Sequence, residues 1–102
     1  MSDTVITDAP EASRYEARLD GDLAGFAEYV VKDDFIVFTH TEVDPAFGGK
    51  GIGGALARGA LDGARERGLA VVPACPFIAG WIAKHPDYAE LVAPSLREQF
   101  QA

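Results

Sequence analysis

Five glycines crowd into seven positions, Gly48, Gly49, Gly51, Gly53 and Gly54, between an apolar run that closes at Val43 and an amphipathic run that opens at Ile52. Glycine costs backbone entropy and weakens helices, and a turn needs only one or two of them. Three readings compete. Gly49 to Gly54 satisfies G-x-G-x-x-G, the dinucleotide fingerprint, yet an acid belongs at the end of the next strand and Pro73 and Ala74 stand there. Small residues also let a helix approach a sheet closely, which suits Gly59, Gly63 and the neighbouring alanines better than the cluster itself. The reading that accounts for the cluster is a phosphate cradle. Amides at a helix start point outward unsatisfied, the helix dipole favours an anion, and residues without side chains let that anion approach. Lys50 would add a charge-assisted bond.

The segment before the glycines reads as three strands. Apolar, aromatic and β-branched residues from Tyr15 to Val43 are broken by Asp20-Gly21-Asp22 and Lys32-Asp33-Asp34, turns short enough to join antiparallel neighbours. Unbroken apolar character from Phe35 to Phe38 predicts a strand covered on both faces. The period then becomes helical over 50–67, with Ile52, Leu56, Ala60 and Ala64 on one stripe and Gly68 as the stop. A short strand ends at Pro73, and a second helix is terminated by Pro86. The expected fold is α+β in the order β-β-β-α-β-α. A loose N-terminal tail is expected over 1–12, one compact domain over 13–93 and a C-terminal tail over 94–102.

Composition narrows the function. A net charge of −7 argues against a nucleic-acid partner. Residues 1–44 hold eleven acids against three bases, whereas 45–85 hold five bases against two acids, which suits a small anion at the glycines and a cationic partner elsewhere. The absence of an apolar run of ~20 residues and of a signal-like start predicts a cytoplasmic protein without a membrane span. With one cysteine and two histidines, no metal site is expected.

The stretch "VDPAFGGKGIGGAL" resembles the acetyl-CoA-binding motif of the GNAT superfamily of N-acetyltransferases, Q/R-x-x-G-x-G/A. Gly51 and Gly53 match its small positions, and Gly48 stands where Arg or Gln belongs, leaving the binding to backbone donors. "HTEV", "GLAVVPACPF" and "HPDY" look like a small GNAT-like subfamily, and the likeness covers about residues 14–92. It implies acetyl-CoA as co-substrate, a GNAT-like fold and an amine acceptor. The diphosphate would lie on Gly48, Gly49, Lys50, Gly51, Ile52, Gly53 and Gly54. The pantetheine arm would pair with backbone from Thr41 to Val43, in a gap between the third strand and the strand at 69–73, with the thioester near His40 and Cys75.

Four residues are candidates for chemistry. Cys75, after a strand and before a helix, is read as lining the acetyl pocket, as an acyl-accepting nucleophile, or as a small core residue. His40 is a base near neutral pH or a hydrogen-bonded strand histidine. Glu42 shares a face with His40 and would orient it, act through water, or simply be solvated. Tyr88 resembles the tyrosine that protonates the departing thiolate in GNATs, or packs at the C-terminal edge. Two functions follow, transfer of acetyl to a cationic amine or acyl-CoA binding without turnover. An open sheet edge would allow a homodimer.

Overall fold

In a computed structural model, which describes residues 4–49, 51–94 and 96, one mixed sheet carries two helices. Strands β1 (Thr4–Ala9), β2 (Arg14–Leu19), β3 (Asp22–Lys32) and β4 (Phe35–Val43) form an antiparallel meander in chain order, and β5 (Ala70–Pro73) lies parallel to β4. Helix α1 (Ile52–Glu66) links β4 to β5, and α2 (Pro76–Lys84) follows β5. The α+β order read from the sequence stands, with one strand more at its start.

That strand corrects the expected tail over 1–12. Thr4–Ala9 pairs with β2 along its length, and Pro10–Ala12 makes a short 3-10 turn into β2. Its inward apolar residue is Ile6, which fills the hollow at Gly59 of α1, where a Cβ would lie 2.6 Å from Ile6 Cγ2 and 2.9 Å from Ile6 Cβ. Asp8 ties the same strand down twice, by accepting from the Tyr29 hydroxyl and by facing Arg67 at 3.8 Å. The expected C-terminal tail lies mostly outside the described residues.

Gly59→Ala therefore sets two effects against each other. Alanine favours a helix by about 1 kcal/mol, but overpacking against an atom next to the β1 backbone costs about 1–3 kcal/mol. The variant is expected to melt below wild type. In a double-mutant cycle, Gly59→Ala is expected to cost much less when Ile6→Ala has already cleared the space above it.

Both helices cover one face. Tyr15, Ala17, Leu19, Ala27, Tyr29, Ile36 and Phe38 of the strands meet Leu56, Ala60, Leu61 and Ala64 of α1 and Ile78 and Ile82 of α2 in one buried cluster. The expectation that β4 is covered on both faces is not met. Ile36 and Phe38 are fully buried, but Phe35 is 40% exposed and Val37 is half-buried.

Of the three tyrosines in this core, Tyr29 donates its hydroxyl to Asp8 and Tyr88 donates its own to Asp62. Burial, then the hydrogen bond to Asp8, pushes Tyr29 up to about 12 from the usual 10.0. A folded-state value above the unfolded one adds stability that is complete below about pH 10 and is lost as pH rises through the folded value. Thermal melts are expected to fall between about pH 10 and 12, and Tyr29→Phe to flatten that fall.

Candidate functional site

The glycine turn begins where β4 ends. Asp44 caps a short 3-10 turn, Pro45–Phe47, by accepting from the Ala46 amide at 2.9 Å, and the Gly48 amide donates to Pro45 O at 3.1 Å. Gly49 (φ +79°) and Gly51 (φ +72°) then take the left-handed conformation that side chains disfavour. Gly51 is the N-cap of α1 and supplies no capping side chain. The helical ladder starts with Ala55 N donating to Gly51 O at 3.1 Å, so the amides of Ile52, Gly53 and Gly54 precede it. Among the described residues none of these three amides, nor those of Gly49 and Gly51, has a protein acceptor outside the helix. Lys50 lies outside the described residues.

The cluster serves two purposes. Gly49 and Gly51 have open space around them and are required by backbone conformation. Gly53 makes room for α2, since a Cβ there would lie 2.7 Å from the tip of Phe77, whereas one at Gly54 would rest in ordinary contact, 3.8 Å from Trp81 Nε1. The starts of α1 and α2 thus converge, which brings two positive helix ends to one place.

The second feature is a parting of strands. Pairing of β5 with β4 covers only Phe35–Phe38, closed by the Cys75 amide donating to Phe38 O at 2.8 Å. Beyond it Thr39–Val43 keeps β3 on one side, and among the described residues no strand pairs with its other edge. A bulge at Thr39, opposite Glu28 and Tyr29, shifts the alternation. Thr41 turns toward the helices, and His40 and Glu42 turn toward the uncovered face.

The candidate residues therefore fall into separate groups. Cys75, the N-cap of α2 and 3% exposed, donates its thiol to Thr41 Oγ1 at 3.4 Å. His40 Nε2 lies 3.3 Å from Glu42 Oε1, both well exposed, with the imidazole 6.1 Å from the Phe26 ring. His40 and Cys75 flank the same stretch of β4 from opposite faces. Tyr88 belongs to neither group. It sits in the 3-10 turn Pro86–Leu91, donates to Asp62 Oδ1 at 2.8 Å and packs edge-on against Trp81. Burial first, and the Asp62 bond second, raise its hydroxyl above the ordinary tyrosine value.

Sequence reasoning missed Phe77 and Trp81 as neighbours of the glycine turn, and the Thr41 hydroxyl as the partner of Cys75. The four-residue spacing of the two aromatics was the available signal for a shared helix face.

A strand splayed from its parallel neighbour beside an uncapped, glycine-rich helix start is matched by a family model described as GCN5-related N-acetyl-transferase, over residues 14–91. The chain belongs to this family. A solution structure of a GCN5-like candidate N-acetyltransferase from Staphylococcus aureus superposes with a TM-score of 0.67, covering 91% of each chain at 23% identity, a likeness of fold. Streptothricin acetyltransferase of Streptomyces lavendulae is 51% identical over 51 residues, which are 48% of this chain and 27% of that protein. A candidate pre-16S rRNA nuclease of Pseudomonas aeruginosa is 43% identical over 51 residues, 50% of this chain and 34% of that protein. The chain thus spans about a third or less of the length of these curated relatives. No helix among the described residues of this member of the GCN5-related family is long and apolar enough to cross a membrane.

Proposed function

We propose that the chain binds acetyl-CoA and passes its acetyl group to an amine. The observation that carries this reading is the pairing limit of β5. It leaves the Thr39–Val43 edge free to take an extended amide-bearing arm as an added strand, in line with a turn in which, among the described residues, the amides of Gly49, Gly51, Ile52, Gly53 and Gly54 have no protein acceptor outside the helix and suit a diphosphate. The residues fit the co-substrate on that ground. Gly49, Gly51, Ile52, Gly53 and Gly54 hold the anion by their amides, Gly48, whose amide is taken by Pro45 O, shapes the turn, Lys50 adds charge, and Thr41 and Val43 pair with the arm.

Acetyl-CoA supplies an activated thioester carbonyl. The amine nitrogen forms the new C–N bond as the C–S bond breaks, the amine loses a proton and the leaving sulfur gains one. His40, on the uncovered face, takes the amine proton, and Glu42 holds the imidazole toward the acceptor. Cys75 and Thr41 line the opposite, helix-covered side of the slot. Tyr88, whose hydroxyl already donates to Asp62, fastens the C-terminal turn to α1. Tyr88→Phe is accordingly expected to lower the melting temperature while leaving kcat within about threefold of wild type, since what is lost is the bond to Asp62, worth about 1 kcal/mol to folding, and a long one accepted from Arg58 at 3.5 Å.

Acidic residues across the first 44 positions favour a cationic acceptor within the cytoplasm. Calorimetry with acetyl-CoA and thiol release with a panel of amines test the reading. Saturable binding with turnover supports it, and no binding at millimolar ligand removes it. A second reading, binding without turnover, is favoured by the engagement of Tyr88 with Asp62, and any detectable thiol release retires it. Intact-mass spectrometry after incubation with acetyl-CoA decides whether Cys75 takes the acetyl group, through an adduct that Cys75→Ala abolishes.

A further inference from the structure

Strand β3 outruns its neighbour. Its pairing with β2 ends at Glu28, and past that point the main-chain bond on this side among the described residues is the Tyr29 amide donating to Ser13 O at 2.9 Å. Pairing with β4 on the other side continues to Lys32. Successive strand residues aim their main-chain groups to opposite sides, so Val31, two on from Tyr29, presents its N–H and C=O to an open edge. The overhang from Val30 to Lys32 is about 10 Å long at the strand rise. Val30 is 54% exposed and Val31 is 39% exposed.

A cavity of about 390 Å³ lies on this overhang, lined by Pro10, Ser13, Tyr29, Val30, Val31 and Arg67. One end is closed. The chain that would prolong β2 along the overhang leaves it at Ser13, whose φ of +53° leads into the 3-10 turn Pro10–Ala12. Arg67, the C-cap of α1, adds a cation to the lining. Asp8 is the carboxylate it faces among the described residues, and at 3.8 Å that pair is beyond hydrogen-bond reach. A guanidinium carries five N–H donors, so a second acid can be held there.

An open strand edge, apolar flanks, a closed end and a cation select one kind of guest. A strand laid on the overhang enters past Lys32 and stops at Ser13, so it brings a chain end to the wall. Run antiparallel to β3, that end is a carboxylate beside Arg67. Run parallel, it is an ammonium, which the guanidinium repels. An acyl chain would leave the edge unbonded, and an internal peptide segment would collide with Ser13 and Pro10.

We propose that this cavity binds the C-terminal end of a partner polypeptide as a short antiparallel strand, with its main chain on Val31, its terminal carboxylate at Arg67 and apolar side chains against Val30, Val31 and Pro10. The site lies at the opposite end of α1 from the glycine turn and is independent of the acetyl-CoA reading.

Fluorescent pentapeptides with varied apolar residues at the last two positions, each as free acid and as C-terminal amide, are titrated against wild type, Arg67→Gln, Arg67→Lys and Val31→Pro, all checked by thermal melt. Free acids are expected to bind wild type saturably, and their amides about tenfold or more weakly, the scale of a charge-assisted hydrogen bond. Arg67→Gln is expected to erase the difference between acid and amide, and Arg67→Lys to keep part of it. Val31→Pro removes the edge N–H without touching the β4 ladder, and is expected to weaken acids and amides alike. In ¹⁵N-labelled wild type the Val31 amide resonance is expected to shift on binding, which tests the same bond without a substitution. No saturable binding by any free acid at millimolar peptide, equal affinity for acids and amides, a difference that survives Arg67→Gln, or a stationary Val31 resonance each overturns the site.

Discussion

Phe38→Ala is expected to cost about 3–5 kcal/mol of stability, the range for truncating a fully buried phenylalanine. For a domain near this size each kcal/mol moves Tm by about 4–8 °C, so a fall of about 12 °C or more is expected. Phe38 is 0% exposed, and its ring forms a triangle with those of Tyr15 and Tyr29, whose centroids are 6.5 and 6.4 Å from it and 5.5 Å from each other. Its main chain is the last β4 residue paired with β5, and its carbonyl receives the Cys75 amide. The cavity would therefore open where the two strands begin to part. Urea denaturation measures the loss, and the variant is expected to keep the wild-type m value, which marks a change in stability and not in compactness. A loss below about 1 kcal/mol, far under the range for such a truncation, would mean that the core is not organised around β4.

His40→Gln is expected to lower kcat by about 10²- to 10⁴-fold, the usual contribution of a positioned base. The KM for acetyl-CoA is expected to stay put, because His40 faces the uncovered side of the sheet, away from Cys75 and the helices that the co-substrate would line. A loss confined to kcat marks a group that acts only as the transition state forms. Glu42→Gln should do much less, about tenfold or under, since both partners are well exposed and exposed ion pairs contribute about 0–1 kcal/mol. Steady-state thiol release measures both variants. Retention of more than half the wild-type rate by His40→Gln would remove the imidazole from the reaction.

Local rules placed most elements because their signals were local. The turns at Asp20-Gly21 and Asp33-Asp34 carry positive φ at Asp20, Gly21 and Asp33, residue types that tolerate it. Gly68 ends α1 in the same conformation, and Pro86 stands just beyond α2. The strand over Thr4–Ala9 escaped this reading because an edge strand needs little inward apolar surface. Ile6 supplies most of it, and its significance lies in Gly59, more than fifty positions away. The covered appearance of Phe35–Phe38 misled for the opposite reason, since a continuous apolar run records what a strand can bury and not how many layers lie against it.

The amino-acid order by itself settled the succession of strands and helices from Arg14 onward, the glycine turn at the head of α1 and the likeness to the acetyltransferase family, all properties written in neighbouring residues and their periods. Tertiary structure decided the rest: that His40 and Glu42 face away from Cys75, that Tyr88 is held by Asp62, and that Phe77 and Trp81 lean over Gly53 and Gly54. A single bulge at Thr39 changes which side chains share a face of β4. Since side-chain direction reverses at every strand residue, such placement depends on pairing between distant segments and is not encoded in any one of them.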